Sequence, residues 1–187
     1  MSNTSMPSQY NKPYSVNTVA VPRELKGRDL LVKTAVASLC HTDSMVASGV
    51  FGTKTPCTGS HEGTGTVVAM GPEAANFGFK EGDRVMCGLY RNFCHVCKDC
   101  QGPENFHQYC SKSDGIIGVT IDGAFAEYVV CDAESSARLP DAVSFETAAP
   151  LACAGNTIFR GVLQSQLKHG QWLAIVGSGG GLGHLGE

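Results

Sequence analysis

Four cysteines between positions 94 and 110 constrain this chain more than any other feature of it. Cys94, Cys97 and Cys100 stand in tandem C-x2-C register, and a C-x9-C interval leads on to Cys110. Such close spacing lets a loop wrap a tetrahedral ion with no regular secondary structure to support it. Four thiolates would close the coordination shell of zinc and leave no position for a substrate. The spacing therefore predicts a structural zinc loop over residues 90–114. His95 and His107 are rival ligands in the same stretch, and reduced, unliganded thiols are the alternative. The sequence has nine cysteines in all, a number that in a reducing compartment points to metal rather than to disulfides. Cys57, Cys87 and Cys131 fall outside any ligand spacing and are assigned to core or surface.

At 187 residues and 42% hydrophobic content, the chain can build one domain with a packed core. Its 23 glycines favour a turn-rich β architecture over a helical bundle. Lys and Arg total 14, are scattered, and are outnumbered by 17 acidic residues, for a net charge of -3. That balance argues against a nucleic-acid partner. Residues 1–20 are polar, with no apolar run of the kind a secretory signal needs, and no apolar stretch reaches the length of a membrane span. A cytoplasmic protein without a membrane partner is expected.

Periodicity places the elements. Residues 1–14 read as a loose lead-in. Strands are expected in VNTVAV and LLVKTAVA, either side of the turn ELKGRD, and again within Gly63–Gly71, Glu81–Gly88 and Gly123–Asp132. Cys40–Gly49 reads as a short helical turn, and Ser144 as a helix N-cap. Near the end, WLAIVG followed by glycines has the pattern of a buried parallel strand entering a phosphate-binding turn. A complete βαβ unit takes about 30 residues, and only ten follow Gly177. A dinucleotide-binding domain is thus expected to be started and not built.

Three further motifs are dispersed: CHTD (Cys40–Asp43), SHEGTG (Ser60–Gly65) and LACAGNT (Leu151–Thr157). Each is ordinary alone. A lone His61 is more often a core or surface residue than a ligand, and a lone Cys153 among apolar residues is more often simply buried. In this order they stand with GDRV (Gly82–Val85), DGAFAEYVV (Asp122–Val130), the cysteine loop and GSGGGLG (Gly177–Gly183). Together they resemble the zinc-dependent medium-chain alcohol dehydrogenases, and most of all the fungal branch, from about Tyr14 onward.

The resemblance implies a mainly β fold with some α. It would be a GroES-like, partly open β-barrel over residues 15–165, followed over 166–187 by the first strand and glycine turn of an incomplete Rossmann domain. It implies a catalytic zinc held by Cys40, His61 and Cys153, with Glu62 as a transient ligand. The open position would take the oxygen of a small alcohol or aldehyde, and hydride would pass between its carbon and NAD(H) or NADP(H). Asp43 is implied to orient His61, and Thr42 to hydrogen-bond the substrate oxygen and begin a proton relay. His41 and the turn residues Gly177, Gly180, Gly181, Leu182 and Gly183 are implied to face the cofactor pyrophosphate. Full-length members assemble as homo-oligomers largely through the cofactor domain.

Three residue-level departures stand out. Met45 occupies the place of the histidine that ends the relay in the fungal enzymes, Ser60 replaces the glycine before His-Glu, and the last cysteine interval is two residues longer, through Gly102–Tyr109. A chain of this length is expected to be inactive alone. The alternative is a non-catalytic zinc-binding module. A zinc-independent quinone or enoyl reductase fits less well, because those relatives lack the ligands present here.

Overall fold

The computed structural model describes residues 2–6, 9–103 and 106–187. The strands are β1 (Ser2–Met6), β2 (Ser15–Val19), β3 (Asp29–Ala37), β4 (Gly63–Met70), β5 (Arg84–Met86), β6 (Tyr90–Arg91), β7 (Gly115–Ile116), β8 (Tyr128–Asp132) and β9 (Ala137–Arg138). The helices are α1 (His41–Ala47), α2 (Lys98–Gln101), α3 (Phe145–Ala148) and α4 (Ala154–Gln164), with short 3-10 turns between.

The Val- and Thr-rich runs of β3 and β4 pair antiparallel and form the centre of a five-stranded sheet, ordered β8-β3-β4-β5-β9. The sheet stays open at β8 and β9, as expected for a GroES-like, partly open barrel. Register shifts at Leu31/Val32 and Thr34/Val36 coil it around one core. Leu30, Val32, Val67, Val85, Ile117 and Val129 fill that core. Cys87 and Cys131 are fully buried among them, and Cys57 is buried nearby. β3 and β4 approach so closely at Gly65 that a Cβ there would lie 2.1 Å from the Lys33 carbonyl oxygen.

The segment after β9 is docked by Arg84. Its guanidinium lies 4.5 Å from the centre of the Phe145 ring and donates to the carbonyls of Pro140 (2.9 Å) and Val143 (2.6 Å). Ser144 caps α3 as expected, accepting from the Thr147 N–H at 3.2 Å.

Two expectations differ from the structure. The loose lead-in instead contains β1, paired antiparallel with β2 from Ser2↔Val19 to Met6↔Ser15. Beyond it, Tyr10 donates to the Thr53 carbonyl and lays its ring against Gly49. Met1, Pro7 and Ser8 lie outside the described residues, as do Glu104 and Asn105 of the cysteine loop. The second difference is WLAIVG, which forms no strand: Trp172 is 99% exposed and Val176 100%. A parallel strand needs neighbours to complete its ladder and helices to cover both faces. Apolar sequence alone supplies neither. The following glycines still make a tight bend, with the Gly180 N–H donating to the Gly177 carbonyl at 3.0 Å. The chain then folds back so that Gly186 meets Ile158 of α4 and Ile175. Among the described residues, no helix is long and apolar enough to cross a membrane.

The close approach at Gly65 yields a test. Gly65→Ala forces β3 and β4 apart and is expected to lower stability by about 3 kcal/mol, read from the midpoint of urea unfolding. Gly161→Ala, in α4 with nothing within 4 Å of the new methyl, is expected to raise stability by roughly 0.5–1 kcal/mol through helix propensity.

Candidate active site and cysteine lobe

Two backbone segments meet at one buried carboxylate. β3 ends at Ala37, and α1 begins at His41 with Cys40 in the N-cap position. Asp43, in the first turn of α1, accepts the Cys40 N–H with one oxygen and the Ser60 N–H with the other, both at 2.8 Å. The Cys40 contact is the reciprocal half of a capping box. The Ser60 contact fixes the loop that carries His61 and Glu62. Ser60 is itself fully buried at φ 64°, a left-handed conformation uncommon for a side-chain-bearing residue. Gly118, at φ 71°, packs on its backbone, where a Cβ would lie 2.3 Å from the Ser60 carbonyl carbon. Cys153 arrives from the far end of the sequence, at the joint between the 3-10 turn Ala149–Ala152 and α4.

The result is a cluster. One ligand atom from each of Cys40, His61, Glu62 and Cys153 lies within 4.8 Å of the other three. Burial, followed by the negative neighbours Cys40 and Glu62, pushes the Cys153 thiol up to about 12. His61 Nδ1 is buried with no hydrogen-bond partner among the described residues. Two sulfurs, an imidazole and a carboxylate thus converge, and one ring nitrogen is left without a partner among the described residues. This donor set fits zinc, whose borderline-soft character suits mixed sulfur and nitrogen ligands.

Other residues singled out in the sequence occupy varied places. The Thr42 hydroxyl sits 3.6 Å from Cys40 Sγ and is half-buried. Met45 lies on α1, half-buried, and its thioether carries no proton to pass on. His41 is exposed at the start of α1. Gly177, Gly180, Gly181 and Leu182 are exposed, and only Gly183 is buried, against the Gly177 carbonyl. Asp43 differs from expectation. Both of its oxygens are taken by backbone N–H groups, and among the described residues no hydrogen bond joins it to the His61 ring. It aligns the Cys40 segment with the Ser60–Glu62 segment.

The second cluster is the cysteine loop. One sulfur from each of Cys94, Cys97, Cys100 and Cys110 lies within 4.8 Å of the others, and Cys94 and Cys100 are 4.0 Å apart. A tetrahedron with 2.3 Å metal–sulfur bonds has edges of about 3.8 Å, so little closing is needed. Backbone N–H groups already serve the sulfurs: Cys94 donates to Cys110 Sγ and Cys97 to Cys94 Sγ, each at 3.4 Å. Backbone hydrogen bonds from Val96 and Cys100 hold the Cys94 and Cys97 thiols below their ordinary range. His95 and His107 stand outside the cluster. His95 lies 2.9 Å from Glu134, and the His107 ring packs against Phe93 and edge-on to His95, both at 5.1 Å.

The lobe is tied to the barrel through Arg28. This guanidinium pairs with Asp132 (3.3 Å) and Glu134 (2.5 Å) and donates to the Phe93 carbonyl (3.2 Å), next to Cys94. Sequence reasoning missed Arg28 and Glu134. They are ordinary charges far apart in the chain, with no motif to mark them.

With both clusters placed, similarity to known proteins falls into line. A family model described as the alcohol dehydrogenase GroES-like domain matches residues 26–141, more than half of the chain. The chain belongs to the alcohol dehydrogenase family. It is 35% identical to an alcohol dehydrogenase of Schizosaccharomyces pombe, over 92% of this chain and 49% of the relative. Among solved structures, the alcohol dehydrogenase of Aeropyrum pernix is 34% identical with a TM-score of 0.83, covering 98% of this chain and 54% of that one. A protein of Sinorhizobium meliloti 1021, assigned as a zinc-binding dehydrogenase and bound to NADP, is 32% identical with a TM-score of 0.81. That alignment covers 100% of this chain and 52% of the other. The chain therefore spans about half the length of the alcohol dehydrogenases it matches.

Arg28 carries a prediction for this family member. Arg28→Ala leaves the buried Asp132 without its guanidinium and the Phe93 carbonyl without its donor. Stability is expected to fall by about 2 kcal/mol, and trypsin is expected to cut faster at Lys98 and Lys112 of the lobe. Unchanged cleavage would show that the lobe does not depend on this anchor.

Proposed function

We propose that this chain supplies the metal-binding half of an oxidoreductase that interconverts alcohols with aldehydes or ketones, using zinc and NAD(H) or NADP(H). The observation that carries the reading is the convergence of Cys40, His61, Glu62 and Cys153 on one point. Zinc bound there supplies Lewis acidity, which lowers the pKa of an alcohol and polarises a carbonyl. The remaining work falls to the chain's own residues. Cys40, His61 and Cys153 hold the metal, and Glu62 stands as the fourth, exchangeable neighbour. Thr42, beside Cys40, offers a hydroxyl that donates and accepts at once, the property needed to take a proton from a substrate oxygen. Met45, one turn further along α1, offers no group that could take the proton on from Thr42, so any further acceptor would lie outside this helix. The four-cysteine lobe has no vacant corner and serves structure. His41 and the Gly177–Gly183 turn are the chain's contribution to the cofactor pyrophosphate.

A second reading is favoured by the exposure of that glycine turn and of Trp172 and Val176. The 187-residue chain by itself would be a zinc-binding module with no grip on a dinucleotide. Turnover by this chain alone would refute that second reading.

Elemental analysis joined to an alcohol-oxidation assay tests the main proposal. About two zincs per chain are expected, with one lost in Cys153→Ser and the other in Cys97→Ser. The same sequence joined to a cofactor-binding half is expected to reduce NAD or NADP with an alcohol, and to lose this activity in Cys153→Ser. Intact zinc with no hydride transfer across a panel of primary and secondary alcohols would contradict the proposal.

A further inference from the structure

Ser60 raises a question of its own. A serine held at φ 64° in a fully buried turn is strained where glycine would not be. Its hydroxyl is fully used: it donates to the Ser38 carbonyl at 3.0 Å and accepts the Glu62 N–H at 3.2 Å. Ser38 is drawn into the same knot. Its N–H donates to the Glu62 carbonyl at 3.1 Å, and its hydroxyl donates to Glu62 Oε2. Glu62 is buried, and its carboxylate lies within reach of both cluster sulfurs and the His61 ring. Two serine hydroxyls and two backbone N–H groups therefore determine where this carboxylate stands.

We infer that Ser38 and Ser60 are positioning residues for Glu62, tethering its carboxylate at the fourth corner of the Cys40–His61–Cys153 cluster. The inference rests on the reading of that cluster as a zinc site. Ser38 occupies one carboxylate oxygen and leaves the other for the metal. Ser60 fixes the Glu62 backbone, so that the side chain reaches the cluster from a constant point. The positive φ at Ser60 is tolerated because glycine would lack the hydroxyl that joins the Ser38 and Glu62 backbones. Outer partners of metal ligands commonly alter metal retention by about 10- to 100-fold when removed.

The test is the rate at which zinc leaves the loaded 187-residue chain for a chromogenic chelator in excess. Wild-type protein is expected to release zinc in two phases, and Cys97→Ser identifies the phase that belongs to the cysteine lobe. Ser38→Ala is expected to accelerate the other phase about tenfold and leave the lobe phase unchanged. Ser38→Thr, which keeps the hydroxyl, is expected to restore the wild-type rate. Ser60→Gly relieves the backbone strain and is expected to fold, while accelerating the same phase. With cobalt in place of zinc, Ser38→Ala is expected to shift the visible absorption bands that report coordination number. Wild-type rates and spectra in both Ser38→Ala and Ser60→Gly would overturn the tether and leave the zinc site standing. Acceleration of both phases together would show general loosening and overturn it as well. A wild-type chain that holds only the lobe zinc would remove the zinc-site reading, and the tether with it.

Discussion

The buried carboxylate of Asp43 is the interaction on which the site depends. A carboxylate taken out of water is costly unless its oxygens are satisfied, and here each oxygen receives a backbone N–H at 2.8 Å. The donors, Cys40 and Ser60, belong to segments separated by α1 and the long loop after it. Satisfying the one charge therefore forces Cys40 and the turn before His61 into register. The β3–β4 pairing brings these segments to the same end of the sheet, from Ala37↔Gly63 backwards. Tertiary hydrogen bonding, rather than local propensity, places Cys40 and His61 beside each other. Cys153 then arrives from the N-terminus of α4, and the preceding helix α3 is joined to β4 by Thr64, whose hydroxyl donates to the Phe145 carbonyl at 3.1 Å.

The two clusters divide the chemistry by their donors. Four sulfurs in a loop, each drawing on backbone N–H groups or on neighbouring thiols, make a closed shell. Its position is secured by Arg28 and by the short β6–β7 pairing at its root. The other cluster mixes sulfur, nitrogen and oxygen, stands among buried elements of the barrel, and includes a carboxylate that accepts the Ser38 hydroxyl. One arrangement suits permanence, the other exchange. Cys57, Cys87 and Cys131 join neither, and their burial in or beside the core accounts for them.

Most of this was legible in the sequence where spacing alone limits the geometry. The C-x2-C register of the lobe needs no tertiary information, and its four cysteines do meet. CHTD, SHEGTG and LACAGNT were legible only through resemblance, because no local pattern tells that residues 40, 61 and 153 share a point. Less visible were interactions made by unremarkable residues across long intervals: Arg28 with Glu134, and Ser38 with Glu62. The assignment of Asp43 to the His61 ring missed the backbone donors, which no sequence displays. The strand expected in WLAIVG shows the opposite limit. Its apolar run has the pattern of a buried strand, but a strand is a property of a ladder, and residues 171–176 have no neighbour to pair with among the described residues.

The central claim is that Cys40, His61, Glu62 and Cys153 hold zinc, alongside a second zinc in the cysteine lobe. X-ray absorption at the zinc edge of the purified chain tests this most directly, because it counts ligands by element. The account predicts an average shell of about three sulfurs and one nitrogen or oxygen per zinc, the mean of a four-sulfur site and a two-sulfur mixed site. A shell of four sulfurs alone would show that only the lobe binds metal, and would contradict the account.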